Sequence, residues 1–338
     1  MQTNKKPKIG RWIILLIIIL LGYIFLFSNK FSYQKTITIK EGDTFQTFLT
    51  DFSWKQKMQI KRYVRNNDVD FSKLPMGSYI FSGSYSPKTF ITTILEGPRV
   101  AYHTIKVLEG WSIYDIDNSL MSKGLITSGA YVAFVSDIAL ISKYQTRYAF
   151  LQNLKIKSLE GFLYPDTYKV DTEKDVIDQL VYLQLETFKK RVWEKASTIT
   201  PPQGMDWYSS IILASIVEKE ERSNKNRPTV AGILMKRLQL GTLVGADISL
   251  CYFFEVPYSD CTPNFIARNV ADKTNPYNTR AVRGLPPTPV SNPTVESIMA
   301  TLQPTQTEYF FYLHDNQGII HYATSLEEHN QNKRTYLQ

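Results

Sequence analysis

The strongest constraint on this chain sits at its front. Residues 12–27 read WIILLIIILLGYIFLF, sixteen positions without a charge. As a helix rising ~1.5 Å per residue, such a run spans ~24 Å, a little short of a ~30 Å hydrocarbon core. The flanking Arg11 and Lys30 can snorkel and close the gap. A run apolar on every face suits a membrane better than the side of a globular core. A cleaved leader has the same layout, but Ser28-Asn29-Lys30-Phe31 offers no small-x-small cleavage site. Lys5, Lys6, Lys8 and Arg11 precede the run, and no acid accompanies them. By the positive-inside rule the N-terminus then stays in the cytoplasm. The expectation is a cytoplasmic tail (1–11), a single-pass anchor in the plasma membrane (12–28) and an extracytoplasmic remainder.

That division also explains the charge. The 338 residues carry a formal net charge of +8, and the four leading bases supply half of it. What remains is too weakly basic for a nucleic-acid-binding domain. With 43% hydrophobic and 21% charged residues, wholesale disorder is excluded. The four histidines and two cysteines form neither H-E-x-x-H nor C-x-x-C, so no metal and no cofactor is expected. The cysteines, Cys251 and Cys261, would lie outside the cell, where a disulfide is permitted. A bridge over so short a loop would contribute roughly 2–3 kcal/mol. Two unpaired buried thiols are the alternative.

Periodicity predicts a mixed α+β chain. After a polar tether (Ser28 to Lys35), Thr36 to Lys40 alternates as a strand with Ile37 and Ile39 on one face. Asp43 or Thr44 can cap a short helix that turns Phe45, Phe48 and Leu49 inward. A second helix runs from Trp54 to about Arg65, a strand covers Ser78 to Phe81, and Ser86-Pro87 opens a third helix. Together these make a small module, residues 36–98. The pattern around Glu41-Gly42 returns at Glu109-Gly110, followed by Ser112 and Asp115 at capping-box spacing. That second copy starts a larger domain, residues 101–338. It begins with a helical stretch between 113 and 152. A strand at Phe162-Leu163-Tyr164 is predicted next, then one long amphipathic helix from Glu173 to Lys195 capped by Thr172.

The chemistry is most legible between Asp206 and Arg222. Trp207, Ile211, Ala214 and Glu218 recur at helical spacing and share a face, whereas Glu220 and Glu221 lie off it. A carboxyl on an apolar face has its charged form disfavoured, which suits a general acid. Helix pattern alone favours a pair between Glu218 and Arg222, four residues on, over that role. Asp247 follows the next helix, and a proline-rich segment, Gly284-Leu285-Pro286-Pro287-Thr288-Pro289, can wall a cleft.

Five stretches carry a family resemblance: EGW (109–111), LEGFLYPDTY (159–168), ILASIVEKE (212–220), NPYNTRAVRGLPPTPVSNP (275–293) and EYFFYLHDNQGIIHY (308–322). In these the chain resembles the endolytic murein transglycosylases, the MltG or YceG-like proteins, over most of its length and in the same order. The resemblance implies a membrane-anchored lyase that cleaves the MurNAc–GlcNAc bond of nascent peptidoglycan, leaving 1,6-anhydro ends and ending strand elongation. It implies a LysM-like module at 36–98 and peptidoglycan synthases as partners. Carried over by position, it makes Glu218 the catalytic acid/base and places Asp247, Tyr277, Asn278 and Thr279 at the substrate. Gly245, Ala246 and Ile248 depart from the family pattern around Asp247. Two other outcomes stay open: a water-using peptidoglycan hydrolase with Asp247 or Glu220 as base, and a non-catalytic wall-binding anchor.

Overall fold

The computed structural model describes residues 16–17, 30–39, 43–71, 75–98, 102–172, 174–255 and 258–337. The expected cytoplasmic tail, the expected anchor apart from Leu16 and Ile17, and the expected Glu41-Gly42 turn lie outside them. Among the described residues no helix is long and apolar enough to cross a membrane. The chain divides into two compact units at residues 100/101.

The first unit pairs strand β1 (Phe31–Ile39) with β2 (Gly77–Tyr85) in an antiparallel ladder running from Phe31↔Tyr85 to Ile39↔Gly77. Helices α1 (Phe45–Phe48), α2 (Trp54–Asn66) and α3 (Pro87–Leu95) complete it. Each helix starts where a hydroxyl accepts a backbone N–H: Thr44, Ser53 and Ser86. Strand β1 begins five residues before the predicted one, so most of the expected tether is sheet. The physical reason is that Phe31 and Tyr33 continue the inward alternation and are buried. They meet Phe90, which is fully buried, at ring distances of 5.1 and 5.4 Å, with Phe81 at 4.2 Å.

The second unit opens with β3 (Tyr102–Lys106), paired antiparallel with β4 (Thr167–Asp171). Between them lie α4 (Ile113–Ser122), α5 (Ala130–Val135) and α6 (Ile138–Arg147). The capping box of Ser112 and Asp115 is present at the start of α4. Phe162 to Tyr164 forms a turn instead of the predicted strand. Its amides do not seek a sheet partner, because the Asn292 Oδ1 accepts from both Gly161 N (2.8 Å) and Leu163 N (3.0 Å). The long helix expected from Glu173 starts later, as α7 (Val176–Phe188), capped by Asp175 and not by Thr172. It continues through a wider π-type turn at Lys189–Trp193, which keeps Phe188 and Val192 both in the core.

Helix α8 (Trp207–Glu220) is the axis of this unit. Ile211 and Ala214 enter one hydrophobic cluster, while Leu213, Ile216 and Val217 enter a second. Every residue from Ser210 to Glu218 is therefore buried, so the single apolar face read from spacing is only part of the contact. Against it pack α9 (Arg227–Gln239), α10 (Asp247–Tyr252) and α12 (Val295–Leu302), and α11 (Pro263–Asn269) packs on α10. The antiparallel hairpin β5 (Phe311–His314) and β6 (Ile320–Ala323) carries the last helix, α13 (Leu326–Tyr336).

Candidate active site

The C-terminal end of α8 delivers three carboxyls within four residues. Glu218 is buried and ringed by donors. Its Oε1 accepts from Arg227 Nη2 (2.9 Å), and its Oε2 accepts from Thr294 N (2.8 Å) and Thr294 Oγ1 (2.7 Å). Arg227 closes the ring by donating to the Glu221 carbonyl (3.0 Å) and to Thr294 Oγ1 (2.8 Å). The side chains of this ion pair are only 4% and 2% exposed. The apolar lining expected for Glu218 is thus replaced by hydrogen-bond donors. Arg222 is exposed, and Arg227, across the loop, is the partner instead.

Glu220 meets a different environment. It is half-buried, and its Oε2 accepts a hydrogen bond from the Tyr312 hydroxyl at 2.9 Å. Burial pushes its pKa above the ordinary carboxyl value; Asp247 adds to that, and the Tyr312 bond, Arg280 and His314 oppose it. Asp247, the first residue of α10, is gripped by both Nε and Nη2 of Arg280. That pair is solvent-facing, at 40% and 45% side-chain exposure. Glu221 is buried, accepting from Ser223 N (2.6 Å) and lying 3.1 Å from His314 Nε2.

The remaining sequence-predicted positions hold this face together. Thr279 is buried; its Oγ1 accepts from Ala246 N (2.9 Å) and donates to Ala246 O (3.0 Å), which pins the turn that presents Asp247. Asn278 is buried too, and its amide donates to the carbonyls of Asn269 (3.4 Å), Val270 (3.0 Å) and Asp272 (2.6 Å) at the end of α11. Both therefore act on backbone, and neither faces an open cleft. Tyr277 is half-buried, with its hydroxyl 2.9 Å from Thr288 Oγ1 and its ring 5.4 Å from that of Tyr252. Cys251 and Cys261 form a disulfide with Cα atoms 5.7 Å apart, tying α10 to the segment before α11.

A small pocket beside α10 is lined by Gly110, Ser112, Asp115, Lys219, Ile248, Cys251, Tyr252 and Val290. Lys219 Nζ donates to the Gly110 carbonyl at 3.1 Å. A Cβ at Gly110 would lie 3.0 Å from Lys219 Cδ and 3.3 Å from Glu218 Cγ, which gives the glycine of the EGW stretch its reason. Beneath the pocket lies Glu160, fully buried and unremarked by sequence reasoning. It accepts from Ile113 N (2.8 Å), Tyr252 Oη (3.0 Å) and Asn292 Nδ2 (2.7 Å). Burial outweighs those donors and pushes its pKa up to about 8. Among the described residues no group of three or more His, Cys, Asp or Glu could hold a metal ion.

A sequence model of the YceG-like family matches residues 32–335. The chain belongs to the YceG-like family. This YceG-like chain is 26% identical over 286 residues to an endolytic murein transglycosylase of Streptococcus pneumoniae serotype 2, covering 78% of itself and 51% of that protein. It spans about half the length of the pneumococcal relatives it matches. An endolytic murein transglycosylase of Bacillus subtilis strain 168 is 23% identical over 302 residues, covering 84% of the YceG-like chain and 78% of the relative. Among solved structures, a yceG-like protein of Listeria monocytogenes superposes with a TM-score of 0.59 at 24% identity, covering 89% and 99% of the two chains. That likeness concerns the fold.

Proposed function

We propose that this protein is an endolytic peptidoglycan transglycosylase. Glu220, rather than Glu218, is its acid. The observation that carries the reading is the contrast between the two: Glu218 is sealed in a ring of donors, while Glu220 is only partly buried and has its pKa raised by that burial. A general acid at neutral pH needs the second environment. Relatives that bear the transglycosylase name support the substrate class.

In this reading protonated Glu220 donates to the oxygen between MurNAc and GlcNAc. The resulting carboxylate takes the proton of the MurNAc C6 hydroxyl as that oxygen attacks the anomeric carbon, giving a 1,6-anhydro end. Intramolecular attack has a high effective molarity, so no second carboxylate nucleophile is required. Glu218, Arg227 and Thr294 hold the helix end that carries the acid. Asp247, fixed by Arg280, lines the substrate face, and Tyr277, Asn278 and Thr279 support it. The first unit, with its strand–helix–helix–strand order, serves as a LysM-like glycan-binding module. The apolar span tethers the enzyme to the outer face of the plasma membrane, beside peptidoglycan synthases, where cleavage would end strand growth.

Mass spectrometry of products from uncrosslinked glycan tests this. Wild type is expected to release anhydro-MurNAc ends, and Glu220→Gln to release none. Reducing ends would identify the hydrolase alternative, for which the half-exposed Asp247 beside Glu220 is the one structural argument. Glycan binding without any fragments from wild type would leave the non-catalytic anchor.

A further inference from the structure

The EYFFYLHDNQGIIHY stretch (308–322) supplies the β5–β6 hairpin. Alternate residues of a strand share a face, and on β5 Tyr312 and His314 both turn toward the end of α8. Tyr312 Oη donates to Glu220 Oε2 at 2.9 Å, and His314 Nε2 lies 3.1 Å from Glu221 Oε2. The strand is itself held in place. Arg237 donates from Nε (2.8 Å) and Nη2 (2.5 Å) to the Phe310 carbonyl, and from Nη1 (2.6 Å) to the Val244 carbonyl. One guanidinium thus joins the hairpin that carries Tyr312 to the loop that leads into Asp247.

We propose that Tyr312 is a positioning residue for the acid: by occupying Oε2 of Glu220 it makes Oε1 the oxygen that exchanges protons with substrate. The inference rests on the reading of Glu220 as the acid. A carboxylic acid accepts best at its carbonyl oxygen, so a donor fixed on Oε2 leaves the proton on Oε1. In the reaction the Oε1–H bond breaks as an O–H bond forms on the glycosidic oxygen, and the C1–O electron pair leaves with that oxygen. The C6 oxygen then bonds to C1, and its proton returns to Oε1. No oxidant or further reactant is needed. While Glu220 is a carboxylate the Tyr312 bond is charge-assisted and stronger for it. The groups facing Glu220 are Tyr312 and His314 from β5, Asp247 from α10, Arg280 from the loop after Asn278, and Arg237 from α9. Of the groups opposing the upward push of burial, Tyr312 is first in weight.

The test uses the full chain, uncrosslinked glycan and a pH series. Tyr312→Phe is expected to lower kcat about tenfold with KM unchanged. It is also expected to move the descending alkaline limb of kcat/KM up by about one pH unit, because a donor to the charged form is lost. A purely structural tyrosine would change the melting temperature without moving that limb. Placing 3-fluorotyrosine at position 312 keeps the shape and strengthens the donor, so the limb should move down. Unchanged kcat and limb in Tyr312→Phe, or no shift with fluorotyrosine, would overturn the inference while an inactive Glu220→Gln leaves the proposed function standing. An active Glu220→Gln would overturn both.

Discussion

Two carboxyls separated by one lysine on the last turn of α8 acquire opposite chemistries from their partners. Glu218 turns inward to Arg227 and Thr294, and Glu220 turns toward Tyr312 and the Asp247–Arg280 pair. Removing the charge of Glu218 leaves a buried guanidinium unpaired. Glu218→Gln should therefore cost about 3 kcal/mol of stability, while the protein that remains folded keeps its pH profile. Glu220→Gln should leave the melting temperature nearly unchanged and lower fragment release about a thousandfold. Thermal melts beside product analysis check both, and equal loss of stability in the two variants would contradict the division of roles. Glu160 gives a prediction of another kind. Its pKa rises from the ordinary 4.5 to about 8 in the folded protein. Across that window the native state keeps a proton that the unfolded chain has lost, so stability should fall as pH rises and level off above it. The decline should be of the order of a few kcal/mol, and Glu160→Gln should flatten it. Denaturant titrations at a series of pH values measure the slope directly.

At the scale of elements, what the sequence made legible was local. The hydroxyl caps at Thr44, Ser86 and Ser112, the helix after Asp206 and the alternation in β1 all rest on neighbours in the chain. What it hid depends on distant residues. The turn at Phe162 replaces a strand because Asn292 serves its amides from 129 and 131 positions away. The acidic end of α8 was visible, and spacing offered Arg222 as the partner of Glu218, since nothing near it in sequence announced that Arg227 and Thr294 would enclose it. Packing of this kind sets a test in α9. Gly232 lies mid-helix, where alanine would ordinarily gain about 1 kcal/mol. Here a Cβ would sit 2.0 Å from the Thr305 carbonyl oxygen, and that backbone cannot rotate away as a side chain could. Gly232→Ala should therefore destabilise by about 1–3 kcal/mol. A higher melting temperature for that variant would mean that the α9 contact yields more easily than its geometry says.

For the whole molecule, the proposed function requires the enzyme to be held outside the cytoplasm, at its substrate. Each unit has a hydrophobic cluster of its own, built around Phe90 in the first and flanking α8 in the second. Among the described residues both cores are built from Phe31 onward, and half the net positive charge precedes residues 12–27. We therefore expect the span to supply location and not chemistry. Deleting residues 1–29 should move the protein from the membrane pellet to the soluble fraction, while the full chain should resist an alkaline carbonate wash. Cleavage of soluble uncrosslinked glycan should survive the deletion, because the carboxyls, Arg280 and Tyr312 all belong to the second unit. If the leading bases hold the N-terminus inside, as the proposal requires, protease added to intact cells stripped of their wall should destroy the second unit of the full chain. Protection of that unit would place the carboxyls on the cytoplasmic side, where no murein strand could reach them, and the proposed activity would then have no substrate.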